Sequence, residues 1–366
     1  MKLAILGTRG IPANYGGFET FAEELSTRLV ARGHDVTVYG RSNNIRFPEE
    51  TYKGVQLVIL PTIGTKHLDT VAHTFLSVFH ALPRRFDCIL MCNAANAVFT
   101  LIPRLAGTPL ALNVDGIERL RRKWGLAGRI YYRLSEYLST IIPNTIVTDA
   151  SVIRDYYLKK YRKPSVLIAY GANCDRTETT AVLSQLGIRP QEYFLYVSRL
   201  EPENNAHVVI EAFEKVRTDK RLVIVGDAPY ARSYIQKLKS TDDPRIRFAG
   251  AVYGQGYREL QSHAYAYIQA TEVGGTHPAL IEAMGAGNCV IAKDTPENRE
   301  VLADCGLFFS DAGELQHQMG RTLNDRVLFE GLRLKASARA KACYSWEAIT
   351  DDYEKVFREL AASYRP

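Results

Sequence analysis

The sequence predicts an α/β protein made of two doubly wound domains, and three observations carry that prediction. At 366 residues the chain exceeds what one ordinary core accommodates and suits two domains of similar size. Its first half alternates short apolar strands with amphipathic helical segments, the pattern of a parallel sheet covered by helices. A second alternation begins near Tyr193, after the basic, proline-containing segment "YRKPSVLIAYGANCD" closes the first.

In the first half, "KLAIL" and "DVTVYG" read as buried strands. Between them Phe18, Phe21, Leu25 and Leu29 recur at helical spacing, with Gly33 as the stop. Further strands are expected at "VQLVILP", "FDCILMC", "PLALNV" and "TIVTDA". In the second half "FLYVS" delivers Arg199 to a loop, "NNAHVVIEAF" opens a helix, and "RLVIVGDAP" and "IRFAGAV" continue the sheet. "AYAYIQAT" then leads into "EVGGTHPALIEAMGAG", where Pro278 suits the first turn of a helix. The terminal "YSWEAITDDYEKVFREL" reads as one more helix.

Composition narrows the function classes. Hydrophobic residues make up 46% and charged residues 23%, an average soluble balance. No apolar run approaches ~20 residues, so no transmembrane helix is expected. The opening "MKLAILGTRG" reads as a first strand rather than a secretory signal, and a cytoplasmic location is expected. Six cysteines without a CxxC pair point to reduced core thiols, not to a metal site or a disulfide framework. The net charge of +6 permits an anionic substrate or a membrane surface and demands neither.

The loop after the first strand, "LGTRGIPANYGGFET", invites a dinucleotide reading that its spacing refuses. Gly7, Gly10, Gly16 and Gly17 do not make G-x-G-x-x-G, and the second strand ends on Arg41 instead of a ribose-binding acid. What remains is a glycine pair opening a helix, where free N–H groups and the dipole favour an anion. The alternative is a long connection that uses glycine for left-handed turns. Beyond "PLALNV", Asp115 and Glu118 follow a strand end and would share a face if the chain turned helical there. Each is a candidate base or acceptor ligand, while Asp115 would equally serve as a cap. Arg119, Arg121, Arg122, Lys123 and Trp124 then interleave basic and aromatic character, suiting an anionic head group or lipid diphosphate; a solvated helix face is the alternative. In the second half, Gly274, Gly275 and Thr276 precede a helix whose first amides can take a diphosphate. Glu282, one turn in, can reach a ribose diol, and Arg199 can neutralise phosphate.

Together "VSRLEPENN", "VIVGDAP", "IRFAGAV" and "GGTHPALIEAMGAG" resemble the family 4 glycosyltransferases over nearly the whole chain. "GTRGIPANYGGFET" and "NVDGIERLRRKW" resemble a narrower branch of bacterial rhamnosyltransferases. The resemblance implies a GT-B fold: two Rossmann-like domains, residues 1–168 and 169–345, facing each other across a cleft, with a helix from about 346 to 366 crossing back to the first. It implies that Gly275, Thr276 and His277 meet the donor phosphate and sugar, that Arg199 pairs with the diphosphate, and that Glu282 holds the ribose. Gly16 and Gly17 would face the phosphate from the first domain, and Asp115 would lie near the reacting sugar, with Glu118 beside it. Glu19 keeps two expected roles, an acceptor contact or a helix-start charge.

Two departures stand out. The first glutamate of the family's E-x7-E motif is Gly274 here, with Glu272 a substitute only if the loop is reshaped. The usual diphosphate lysine is Asn204. Both suggest a different donor, such as a 6-deoxysugar. No cofactor and no metal are expected, since no Asp-x-Asp sits at the site. The expected partners are a nucleotide-sugar donor and a glycan or lipid-diphosphate acceptor, with peripheral membrane contact and no nucleic acid. The competing expectations are a UDP-sugar hexosyl or N-acetylhexosaminyl transferase, an epimerase or phosphorylase of the same fold, an NAD-dependent oxidoreductase, and a non-catalytic sugar-nucleotide sensor.

Overall fold

The computed structural model describes every residue except Tyr15, Lys66, His67, Arg122, Lys123, Pro229, Tyr230 and residues 364–366. Its chain divides into two compact units: residues 1–120, 124–170 and the helix beginning at Trp346 form the first, and Arg121 with residues 171–345 the second.

The first unit is built on β1 (Lys2–Leu6), β2 (Asp35–Arg41), β3 (Thr51–Tyr52), β4 (Val55–Leu60), β5 (Cys88–Cys92), β6 (Leu110–Asn113), β7 (Thr145–Thr148) and β8 (Val166–Leu167). They lie in the order β3-β4-β2-β1-β5-β6-β7-β8 and pair in parallel, except for the short β3–β4 ribbon. Leu3, Ala4, Ile5 and Leu6 are all buried, because a parallel strand is covered on both faces and so reads as a continuous apolar run. The connecting helices are α1 (Gly17–Ala31), α2 (Asp69–Ala81), α3 (Leu101–Leu105), α4 (Leu126–Leu138) and α5 (Ser151–Tyr161). α1 buries Phe21, Leu25 and Leu29 as its spacing requires, and Gly33 follows with φ +83°, the left-handed turn that glycine supplies cheaply.

The second unit has a six-stranded parallel sheet in the order β11-β10-β9-β12-β13-β14. Its strands are β9 (Tyr193–Val197), β10 (Arg221–Val225), β11 (Ile246–Gly250), β12 (Ala266–Gln269), β13 (Cys289–Lys293) and β14 (Leu307–Phe309). Its helices are α6 (Ala181–Leu186), α7 (Ala206–Glu214), α8 (Arg232–Leu238), α9 (Gly254–His263), α10 (Pro278–Gly285), α11 (Pro296–Leu302), α12 (Ala312–Asn324) and α13 (Arg326–Cys343). Phe194, Phe213, Ile224, Ile268, Ile291 and Phe309 form its core. Strand order reverses between β9 and β12, the switch point outside which open α/β sheets bind ligands.

The last helix, α14 (Trp346–Ser363), packs on α1 of the first unit. Phe21 meets the rings of Trp346 and Tyr353 at 6.4 and 5.2 Å, and Arg32 of the same unit reaches Glu347, Asp351 and Glu354 at 3.0, 2.5 and 3.1 Å. The apolar contacts carry this docking, since exposed ion pairs contribute little.

Candidate functional site

At the switch point of the second unit, β9 leads to Arg199 two residues beyond its end and β12 leads to Gly274–His277; the two strands pair directly from Ala266↔Phe194 to Ile268↔Tyr196. The Arg199 turn is braced from beneath. Tyr196 donates its hydroxyl to the Asn204 carbonyl at 2.6 Å, and the Asn204 amide donates to the Arg199 carbonyl at 2.6 Å. Asn204, which stands where the family has its diphosphate lysine and was expected on the donor side, is buried, and its amide holds the backbone that presents Arg199. No carboxylate among the described residues pairs with the half-buried Arg199 guanidinium.

The His277 imidazole lies against Gly274. A Cβ on that glycine would stand 2.5 Å from His277 Cε1, so the ring fills the space where any side chain would begin. A side chain at residue 274, such as the E-x7-E glutamate, would therefore require the His277 ring to move. Glu272 does not stand in for it freely, because its carboxylate lies 3.7 Å from Lys293 Nζ. Burial, helped by the charges of Arg121 and Arg199, pushes the His277 pKa down to about 3. The ring is therefore neutral at ordinary pH, able to donate from one nitrogen and accept at the other. His277 also precedes α10 with no side chain capping that helix, and Gly275 and Thr276 are buried just before it.

Glu282 sits one turn into α10, and Tyr257 of α9 donates its hydroxyl to Glu282 Oε2 at 2.6 Å. That hydroxyl accepts in turn from Gln261 Nε2 at 2.8 Å. Burial and the Glu282 charge hold the Tyr257 pKa well above its usual value, so the phenol stays a donor. Tyr257 carried no signal in the sequence, because its link to Glu282 joins two helices and follows no local spacing.

In the first unit the long β1–α1 loop also lies at a switch point, between β1 and β5. Gly7 and Gly10 have φ +91° and +103°, and a Cβ on either would stand within 2.5 Å of backbone at Cys92 or Gly40. Those two glycines serve chain packing. Gly16 is extended and caps α1 with no side-chain hydrogen bond at the helix start, and Gly17 is the first residue of that helix. Glu19 is corrected as an acceptor contact: it is buried and accepts from the Arg9 amide at 2.9 Å, tying the loop to α1. Burial raises its pKa against the lowering effect of the Arg9 amide and the Arg9 and Arg41 charges.

Asp115 follows β6 in the left-handed region, φ +54°, a conformation that asparagine and aspartate tolerate better than most residues. The chain does not turn helical there, and Glu118 opens a separate 3-10 turn (Glu118–Leu120), so the two carboxylates do not share a helical face. Tyr170 reaches Asp115 Oδ1 at 3.5 Å. The Asp115 and Asp149 charges add to burial in raising the Tyr170 pKa, so Asp149, missed in the sequence, also acts on Tyr170.

The basic run is dispersed. Arg119 donates Nε to Glu136 at 3.0 Å and a second nitrogen to Tyr156 Oη at 2.9 Å. Arg121 is buried in the second unit, 4.0 Å from Glu201. Trp124 lies over Gly128 and meets the Tyr132 ring at 5.0 Å. Arg122 and Lys123 lie outside the described residues. Arg119, Arg121 and Trp124 thus do not form the open lipid-facing patch that the sequence suggested. No group of His, Cys, Asp and Glu among the described residues is arranged to hold a metal ion.

Residues 191–325 match the family described as "Glycosyl transferases group 1", and residues 1–173 match a domain of unknown function, DUF1972. With two doubly wound units and this arginine, glycine loop and glutamate at a switch point, the chain is a glycosyltransferase of GT-B architecture. Over 95% of its length it is 28% identical to the phosphatidyl-myo-inositol mannosyltransferase of Mycobacterium leprae, covering 94% of that protein. It is 24% identical to the Escherichia coli O-antigen chain mannosyltransferase B over half of each chain. Its fold matches Anabaena HepE, solved with UDP-glucose, at TM-score 0.79 and 16% identity, over 98% of this chain and 100% of that one.

Proposed function

We propose that the protein transfers a sugar, rhamnose in the first instance, from a nucleoside diphosphate to a hydroxyl of a glycan or lipid-diphosphate-linked acceptor, with retention, in cell-surface polysaccharide synthesis. The observation that carries this is the convergence of Arg199 and the Gly274–His277 loop at one switch point, with Glu282 oriented by Tyr257. Arg199 and the amides before α10 would take the diphosphate, Glu282 the ribose, and the neutral His277 a sugar hydroxyl. The Gly16–Gly17 helix start would offer further amides to the phosphate. The bond from the anomeric carbon to the diphosphate oxygen breaks with its electron pair leaving on the phosphate. The acceptor oxygen then bonds to the same face, and its proton passes to the departing phosphate oxygen. The side chains thus stabilise the leaving charge without a covalent intermediate, metal or cofactor. Asp115, supported by Tyr170, would orient the acceptor hydroxyl, with Glu118 as the other candidate. The work would be done at the cytoplasmic face of a membrane. A mannosyl donor is the second reading, favoured by the names of the two relatives.

The test is a thermal-shift screen with UDP-, GDP- and dTDP-sugars, since a ligand that binds only the folded state raises its apparent stability. Calorimetry with the best donor then follows. Arg199→Ala and Glu282→Ala should each weaken binding by about tenfold or more, as expected for lost charge-assisted hydrogen bonds. Unchanged affinity in both would overturn the donor site.

A further inference from the structure

We propose that the outer face of α2, α3, α4 and the 3-10 segment Ala94–Thr100 between them is a membrane-docking surface for anionic phospholipid. This deepens the membrane-facing part of the function proposed above but involves none of its site residues. α4 presents Leu126, Ile130, Leu134 and Tyr137 at 77, 60, 54 and 51% exposure, spaced along one helical face. The 3-10 segment packs between α4 and α2, with the Tyr131 hydroxyl donating to the Ala95 carbonyl at 2.7 Å. Phe75 of α2 meets Phe99 at 6.4 Å and Phe79 at 4.7 Å, and Phe75 and Phe79 are both about half exposed. Leu105 of α3 is 78% exposed. Adjacent large apolar side chains exposed in this way mark an interaction face rather than the scattered leucines of an ordinary surface.

Charge selects the occupant. The exposed cations on these elements are Arg104, Arg129 and Arg133. Their only acidic residues are Asp69 and Glu136, and neither is available at the surface. Asp69 is paired with Arg41 at 2.6 Å, and Glu136 is buried with Lys160 at 2.8 Å. An apolar stripe flanked by arginines and lacking free carboxylates matches the boundary of an anionic bilayer. A second copy of this face would set arginine against arginine, which opposes self-association. Among the described residues no helix is long and apolar enough to cross a membrane, so the contact is interfacial.

The full chain, without donor, is sedimented with vesicles of phosphatidylcholine alone and of phosphatidylcholine with phosphatidylglycerol, at low and high salt. The native protein should prefer the anionic vesicles by about tenfold at low salt and lose that preference at high salt. Ile130→Ser with Leu134→Ser should weaken binding to both vesicles by about tenfold or more. Arg129→Glu with Arg133→Glu should abolish only the anionic preference, and both variants should keep the native melting temperature because the positions are exposed. Native protein that ignores vesicles overturns the proposal, as does a serine variant that binds as well as native. So does a concentration-dependent dimer that the serine substitutions abolish, since a second copy would then cover the face. With no donor or acceptor in the assay, these outcomes leave the transferase reading untouched.

Discussion

Gly274→Ala is the sharpest probe of the site, because one methyl group displaces one ring. The new Cβ would lie 2.5, 3.2 and 3.3 Å from His277 Cε1, Nδ1 and Nε2. Carbon atoms settle at about 3.5–4.0 Å, so the imidazole must retreat by about 1 Å. The ring ends a rotatable side chain, so the backbone can stay in place, and rotation should cost no more than about 1 kcal/mol of stability. The loss appears in binding instead: the hydrogen bond proposed between His277 and the sugar is worth about 1 kcal/mol, a factor of about five to ten in affinity. Calorimetry with the donor and a thermal melt read the two quantities separately. The expected result is an affinity loss with a nearly unchanged melt. In the His277→Ala background the obstacle is gone, and Gly274→Ala should cost almost nothing, a coupling of about 1 kcal/mol in the double-mutant cycle. Native affinity in Gly274→Ala, or the same loss in both backgrounds, would refute the steric reasoning.

Tyr257→Phe removes the hydroxyl that orients Glu282 at 2.6 Å, and donor affinity should fall by about tenfold, read as a raised donor KM with kcat less affected. His73 is fully buried, with Nε2 2.9 Å from the Gly40 carbonyl, and burial with the Arg41 charge pushes its pKa down to about 4. Its folded pKa lies below the unfolded value of about 6.5, so the unfolded chain takes up the proton first. Stability is then intact above pH 6.5 and is lost as pH falls toward 4, by up to about 3 kcal/mol. Urea unfolding at pH 6.5 and pH 4.5 should show a shallower loss in His73→Gln than in native protein. Glu136 is drawn up by burial and more strongly down by hydrogen bonds from Lys160, Tyr156 and Tyr161, so it is charged and central to its cluster. Glu136→Gln should lower stability by about 2 kcal/mol, less than the full cost of orphaning a buried pair because Arg119 and Lys160 reach solvent. An unshifted denaturation midpoint would contradict that role.

The elements of the candidate donor site were legible because they are local in the chain. Arg199 lies in the loop after a strand that the apolar run "FLYVS" announces, and Gly274 through Glu282 fall within one loop and helix. Strand β13 was not read, since "NCVIAK" follows α10 after only a short turn. The first unit was harder because its side chains choose directions that sequence order hides. Arg119 and Arg121 stand two residues apart, yet one joins the Glu136 cluster and the other is buried in the second unit. The sequence leaves Glu19 between an acceptor contact and a helix-start charge; it stands in the first turn of α1 and turns inward to the Arg9 amide. The expected shared face of Asp115 and Glu118 assumed helical backbone where the chain takes a left-handed step. The apolar stripe that does face solvent lies on α4, and it follows the basic run that drew attention to the region.

The two departures from the family's donor pattern are better understood as one change than as two losses. Relative to that pattern, Asn204 removes a positive charge and Gly274 removes a negative one, so the formal charge of the site is conserved. Without the lysine, Arg199 is left as the proposed cation for the diphosphate, and a carboxylate at residue 274 would compete with the phosphate for it. The Gly274–His277 packing removes that competitor and supplies a neutral imidazole beside Arg199, while Asn204 holds the Arg199 backbone in place. On the function proposed above, this arrangement would replace a charged hydroxyl reader with a neutral one. Gly274→Glu should therefore weaken donor binding more than Gly274→Ala, because it adds a competing carboxylate to the displaced ring; equal losses in the two variants would show that the added charge plays no part.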